Sequence, residues 1–294
     1  MKILLAGSEG FIGKAFLDNL SKDFEIICTG RNLTKENKTR IKIDLVLDDL
    51  NKLPEDIDII VNLASQQPSG INVSWDDLYK GNVISTLKLW DYAREIGAKK
   101  FIYISSTSLF NQSSPSNKLR HDSVALPLTE YGLTKYISEI LLKVRSEDEN
   151  IKTIILRFPS VFGDGHKGGL VKTFYDLAVE NKTIDVFNNG KIYRNLLFKS
   201  DAVSAIKKCI ENETLENFEI FMIGSSDSLR SKEIAKKIVK LTKSKSRINL
   251  VSKPSPVDSD IFLDLEKSIK KLNFKPSSIE HGLKCFIEGM NNEI

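Results

Sequence analysis

Tyr131 and Lys135 stand four residues apart in Tyr-Gly-Leu-Thr-Lys. On a helix such a pair shares one face. A free phenol titrates near ~10, and a neighbouring ammonium favours the phenolate and lowers that value. Tyr131 is then placed to give or take a proton near neutral pH. A run of hydroxyls precedes the pair, Ser105-Ser106-Thr107-Ser108, at the end of an apolar segment. One of them can reach the same substrate oxygen as Tyr131, while most of four in a row must cap the strand or bond backbone. The plain alternative for Tyr131 and Lys135 is a solvated surface pair.

A second constellation opens the chain. Gly7, Gly10 and Gly13 fall as G-x-x-G-x-x-G between an apolar run and a helical pattern. The first glycine permits a tight turn, the second lets backbone approach a pyrophosphate, and the third lets a helix pack against a sheet. Amides at that helix N-terminus then face phosphate oxygens. The pattern and its place predict a dinucleotide site. The next apolar run ends in Thr29-Gly30-Arg31-Asn32, without the acid that often binds a ribose 2′-hydroxyl. Arg31 is read as meeting a 2′-phosphate, which favours NADP over NAD; a loop arginine in solvent is the alternative. Asp44, after the third run, either accepts from the adenine amino group or caps a turn.

These residues need elements to hold them. Strands are expected at Lys2–Ala6, 25–29, 40–43, 57–63, 100–105 and 153–156, and helices at Phe11–Leu20, 76–96 and 131–144. Strands buried on both faces and alternating with helices imply a parallel sheet. The fold class is therefore α/β, a Rossmann-like doubly wound parallel sheet with a smaller C-terminal substrate-binding lobe. Later elements are a helix at 170–179, a strand at 195–198, a helix at 202–210, a strand at 219–223, and amphipathic helices at Ser231–Leu241 and 279–290. Residues 1–157 are expected to form the dinucleotide-binding domain, with 195–223 returning to it. Residues 158–194 and 224–294 form the lobe. The serine-rich stretch 111–122 is expected to be a mobile loop at the mouth of the site.

Composition narrows the partners. The chain has 294 residues, 41% hydrophobic and 28% charged, with a net charge of +4 and no basic block. Such a balance points to a folded domain and away from nucleic acid. No apolar run approaches a membrane span, and the N-terminal run is too short for a signal peptide. Cys28, Cys209 and Cys285 are three in number and widely spaced. They read as small buried residues in a reducing cytoplasm.

The segments GSEGFIG, Asp44, VNLAS, Asn82-Val83, FIYISSTSLF, YGLTK, LRFPSVFGDG and IYRNLLFKSDAV, in this order, resemble the extended short-chain dehydrogenase/reductase superfamily in its NAD-dependent epimerase/dehydratase branch. The resemblance implies Ser106, Tyr131 and Lys135 as catalytic residues. It implies cofactor contacts at Gly7, Gly10, Phe11, Ile12, Gly13, Arg31, Asp44, Leu45, Ala64, Tyr131, Lys135 and Phe158. It implies contacts to a nucleotide-sugar substrate at Ser106, Ser160, Leu170 and Arg194, the guanidinium gripping a pyrophosphate.

Relatives that eliminate water carry an Asp-Glu pair where this chain has Thr107 and Ser108, so a 4,6-dehydratase is not expected. Relatives that make GDP-fucose use a cysteine near this strand. None stands here, and His166 is the remaining loop candidate for a substrate contact. A second phosphate clamp near the C-terminus is replaced by residues 253–258. The reading that follows is a 4-keto sugar reductase using NADP. The alternatives are a 4-epimerase with tightly bound NAD and, in another class, a non-catalytic dinucleotide sensor or scaffold. Relatives commonly dimerise through helices matching 76–96 and 131–144, where Leu87, Trp90, Ile137 and Leu141 are surplus apolar residues. Cover by the C-terminal region is the alternative.

Overall fold

A computed structural model describes residues 1–34, 36–68, 73–147, 150–254 and 259–292. Strand β1 (Lys2–Ala6) shows why the sheet forms: Ile3 and Leu5 enter one apolar cluster, Leu4 and Ala6 another, and all four are fully buried. A strand apolar on both faces needs a layer on each side. The chain supplies them through α1 (Phe11–Leu20), β2 (Glu25–Gly30), β3 (Arg40–Lys42), β4 (Ile59–Asn62), α2 (Trp75–Tyr79), α3 (Ser85–Glu95), β5 (Lys100–Ser106), α4 (Glu130–Ser146) and β6 (Lys152–Phe158). Beyond them come β7 (Ser160–Phe162), α5 (Gly169–Val179), β8 (Ile184–Val186), β9 (Tyr193–Arg194), β10 (Leu196–Phe198), α6 (Lys199–Glu211) and β11 (Phe218–Met222). The chain ends with β12 (Leu229–Arg230), α7 (Ser231–Leu241), β13 (Ile248–Leu250), α8 (Glu266–Leu272) and α9 (Ile279–Asn292).

Among the described residues seven strands form one sheet in the order β11-β6-β5-β4-β1-β2-β3, and every pairing is parallel. The chain winds outward from β1 to β3, then returns to place β4 on the other side of β1. That reversal opens a crevice beyond the carboxyl ends of β1 and β4, where such sheets take ligands. Phe16 of α1 and Ile206 of α6 cover one face; Trp90 of α3 and Leu142 of α4 cover the other. Phe174, Ile234 and Phe286, from α5, α7 and α9, centre a third apolar cluster outside the main sheet.

Several expectations change. The helix at 76–96 is interrupted by a π segment, Lys80–Ile84, which buries Asn82. Trp90 is only 1% exposed, and its indole N–H donates to Thr153 Oγ1 at 3.0 Å, so it is spent inside the fold and unavailable to a second copy. The stretch 111–122 is tied down rather than free. Ser113 N donates to Asp260 O at 2.9 Å and Leu119 N to Phe262 O at 2.8 Å. Cys285 is half-buried, not buried, because it lies on the outer part of α9 with Sγ 3.6 Å from His281 Nε2. The strands β7, β8, β12 and β13 and helix α8 are additions, each too short to show a period in sequence. Among the described residues no helix is long and apolar enough to cross a membrane.

Candidate active site

The glycine turn is built as its spacing requires. Gly7 has φ +81°, and a Cβ there would stand 2.7 Å from Ala64 N. A Cβ on Gly13 would stand 2.4 Å from Gly7 O, so α1 can approach the turn only through glycine. Gly10 is the N-cap of α1 without a side-chain cap, and the first turn carries no acid. The amides opening that helix, at Phe11 and Ile12 among others, are thus left for an anion. These residues fit a dinucleotide pyrophosphate. Ala64 closes the turn from β4. Asp44 and Leu45 follow β3, and Asp44 Oδ1 accepts from Val46 N at 2.8 Å and Leu47 N at 3.2 Å, the turn-capping arrangement. Arg31 extends from the end of β2 toward Gln66 Oε1, 3.5 Å away. The ring of Phe11 lies 4.6 Å from that of His166, so the loop after β7 reaches the glycine turn.

The hydroxyls of β5 and the N-terminus of α4 meet closely. A Cβ on Gly132 would stand 2.2 Å from Ser108 O, so glycine alone lets the helix abut the strand end. Thr129 caps α4, its hydroxyl accepting from Gly132 N at 3.0 Å. Ser106 Oγ accepts from Ser108 N at 3.1 Å and from Ser108 Oγ at 2.8 Å. Lys135 Nζ donates to Ile104 O at 2.9 Å and lies 5.9 Å from the Tyr131 ring centroid. Ser106, Tyr131 and Lys135 are in this way gathered at the carboxyl end of β5.

The electrostatics differ from expectation. Burial pushes the Tyr131 phenol above its ordinary value, opposed by hydrogen bonds with Gln67 and Ser65. Burial pushes Lys135 down to about 7, opposed by Glu139. Both groups have lost water, so the ammonium that was to ease the phenol is itself disfavoured. Glu139 is committed elsewhere: Arg157 Nη2 donates to its Oε2 at 2.7 Å, and Arg157 Nη1 donates to His121 O at 3.0 Å. Burial also lowers His166.

The remaining expected residues sit on neighbouring elements. Phe158 is buried at the end of β6; Ser160 is exposed at the start of β7. Leu170 is half-buried in the first turn of α5, and Arg194 half-buried on β9 beside Leu229 of β12. Residues 255–258 of the altered C-terminal clamp lie outside the described residues.

The frame of the site includes residues that carry no motif of their own. Gln67 Nε2 donates to Tyr131 Oη at 3.4 Å. Asn82 is fully buried: Oδ1 accepts from Ser65 Oγ at 3.0 Å and Gln66 N at 2.8 Å, and Nδ2 donates to Gln66 O and Thr134 Oγ1. It joins the loop after β4 to the helix bearing Tyr131. The only sequence signal was the Asn82-Val83 segment inside a helical pattern, a polar residue where an apolar one would pack.

A doubly wound sheet with a phosphate-type glycine turn at its reversal and a tyrosine–lysine helix beside it defines a dinucleotide-dependent oxidoreductase architecture. The model of the NAD dependent epimerase/dehydratase family matches residues 3–224, and the chain belongs to that family as an enzyme of the extended short-chain dehydrogenase/reductase type. It is 31% identical to an uncharacterized protein of Methanocaldococcus jannaschii, over 97% of this chain and 94% of that one. It is 25% identical to a dTDP-4-dehydro-6-deoxyglucose reductase of Escherichia coli, over 94% and 93% of the two chains. Its fold is similar to that of a UDP-glucuronic acid 4-epimerase from Bacillus cereus solved with UDP-glucuronic acid and NAD. There the TM-score is 0.87 and the identity 23%, with 100% of each chain covered.

Proposed function

We propose that this protein is a 4-keto nucleotide-sugar reductase in which Tyr131 and Ser106 address the sugar oxygen. The observation that carries the reading is the Tyr131 phenol itself: it stands in the first turn of α4, which abuts the end of β5 that bears Ser106, and burial favours its protonated form. Reduction of a ketone needs a proton donor at the nascent alkoxide. Tyr131 Oη supplies that proton, Ser106 Oγ polarises the same oxygen, and Lys135 Nζ lies behind the phenol ring. A bound nicotinamide dinucleotide supplies the hydride. No carboxylate accompanies Ser106, since Thr107 and Ser108 stand where an eliminating pair would be, so the reading stops at reduction.

A 4-epimerase with retained NAD is the second reading, supported by the B. cereus relative that was solved with NAD. Arg31 supports NADP, while the family's description names NAD. The same proposal divides the chain into a dinucleotide domain, 1–157 with 195–223 returning, and a substrate lobe, 158–194 and 224–294. Ser160, Leu170 and Arg194 then meet the nucleotide sugar from the lobe side. It takes the protein to be cytoplasmic, with free cysteines, and to be a homodimer through the helices at 76–96 and 131–144.

The test begins with the purified protein. It is denatured, any released dinucleotide is identified, and turnover of 4-keto nucleotide sugars is followed by oxidation of the reduced dinucleotide. A reductase releases little dinucleotide and consumes one per ketone reduced. Retained NAD, with sugars interconverted and no net dinucleotide change, establishes the epimerase instead. Absence of turnover in both assays leaves a binding protein and overturns the catalytic reading.

A further inference from the structure

We infer that Glu9, held by Arg40, selects the dinucleotide by its adenosine ribose and favours a free 2′-hydroxyl over a 2′-phosphate. The inference rests on the reading of the glycine turn as a dinucleotide site.

Strand β2 ends at Gly30, so no side chain projects where a strand-end acid would contact the ribose. The turn fills this position from the side. Gly7 N and Ser8 N both donate to Thr29 O, at 3.1 and 3.2 Å, and Ser8 Oγ adds a third bond at 3.2 Å. Stitched in this way, the turn lays Glu9 over Gly30. A Cβ built on Gly30 would stand 3.6 Å from Glu9 Cγ, in ordinary contact. The carboxylate missing from β2 is thus delivered by the middle of the glycine motif, in space that a larger residue at position 30 would occupy.

Arg40, at the start of β3, fixes that carboxylate. Its Nη2 donates to Glu9 Oε1 at 2.9 Å, with the two side chains 37% and 36% exposed. A carboxylate accepts a hydrogen bond from a ribose hydroxyl but repels a phosphate carrying roughly two negative charges. Arg40 commits Nη2 to Glu9, so less of its guanidinium is left to meet a phosphate. Arg31, the residue that favoured NADP in the sequence, reaches instead over the end of β1 toward Gln66 in the loop after β4. Removing the Glu9 charge frees the Arg40 guanidinium beside the ribose, a setting that attracts phosphate.

The experiment measures dissociation constants on the whole protein stripped of dinucleotide, by calorimetry, for NADH, NADPH, 5′-AMP and 2′,5′-ADP. The two mononucleotides isolate the 2′ position from the nicotinamide. The parent should prefer NADH and 5′-AMP. Glu9→Gln should move both preference ratios toward the phosphorylated partner by about tenfold or more, the scale of one charge-assisted hydrogen bond. Glu9→Ser should do the same, which guards against a fold defect in either variant. Arg40→Met should weaken NADH and 5′-AMP without gaining NADPH, because Glu9 keeps its charge and loses its support. A parent that prefers NADPH, or ratios unmoved by both Glu9 variants, overturns the inference while leaving the dinucleotide site standing. A parent that binds none of the four overturns the dinucleotide site as well.

Discussion

Lys135 illustrates how one residue can carry an electrostatic load that its sequence position does not reveal. Its Nζ is buried between the Tyr103 and Tyr131 rings with Ile104 O as acceptor, and burial holds it near 7 against an ordinary 10.5. The folded protein therefore releases this proton near pH 7, whereas the unfolded chain keeps it to about 10.5. Between those values the unfolded state binds more protons, so stability from this site rises with pH across the window. Lys135→Met removes the term. In dinucleotide-free protein the variant should be more stable than the parent at pH 7, and its advantage should shrink by roughly 1 kcal/mol per pH unit toward pH 10. Denaturant titrations at several pH values measure this; a constant difference would refute it. Tyr131, Lys135 and the glycines were legible because their signal is local, a spacing of four or three residues. Glu9 with Arg40, and Asn82 with Ser65 and Thr134, were not. Each contact spans a distance along the chain that only the folded sheet closes.

At the scale of elements, the closest fit in the site is helix α4 against the end of β5. Gly132→Ala places a methyl 2.2 Å from Ser108 O and 3.2 Å from Thr129 Oγ1. The helix start must retreat, carrying Tyr131 away from Ser106. A misplacement of about 1 Å at a reacting group costs about 100-fold in rate, against about 1–3 kcal/mol of stability for overpacking. Turnover should fall by about that factor while dinucleotide affinity at the separate glycine turn stays within a few-fold. Equal losses in both would mean that the variant has simply lost its fold. The long helices were readable from their apolar period, and so were the six early strands. The π segment at Lys80–Ile84 was not, because one extra residue per turn is averaged away across a window of that length. Three-residue strands such as β8 and β13 pair with each other across about sixty residues and have no period of their own.

For the whole molecule, the outer face of α4 makes the assembly testable. Leu133, Ile140 and Val144 are 38%, 43% and 63% exposed and, with half-buried Ile137, fall on one stripe of the helix. In the proposed homodimer this stripe, rather than Trp90, would face the second copy. Ile140→Arg should convert a dimer to a monomer in sedimentation velocity. A parent that already sediments as a monomer, or a variant that stays dimeric, would remove the proposed interface. The doubly wound order was legible as alternating strands and helices, and the strand expected near 219–223 does return to the sheet as β11. That return has a consequence for synthesis. Strand β6 leaves the ribosome about sixty residues before its outer partner does, about 3–12 s at a synthesis rate of 5–20 residues per second. Throughout that interval the nascent sheet presents a bare apolar edge, Thr153 to Leu156, able to pair with any passing strand. The separation of those two strands along the chain sets how long that edge waits for its native partner.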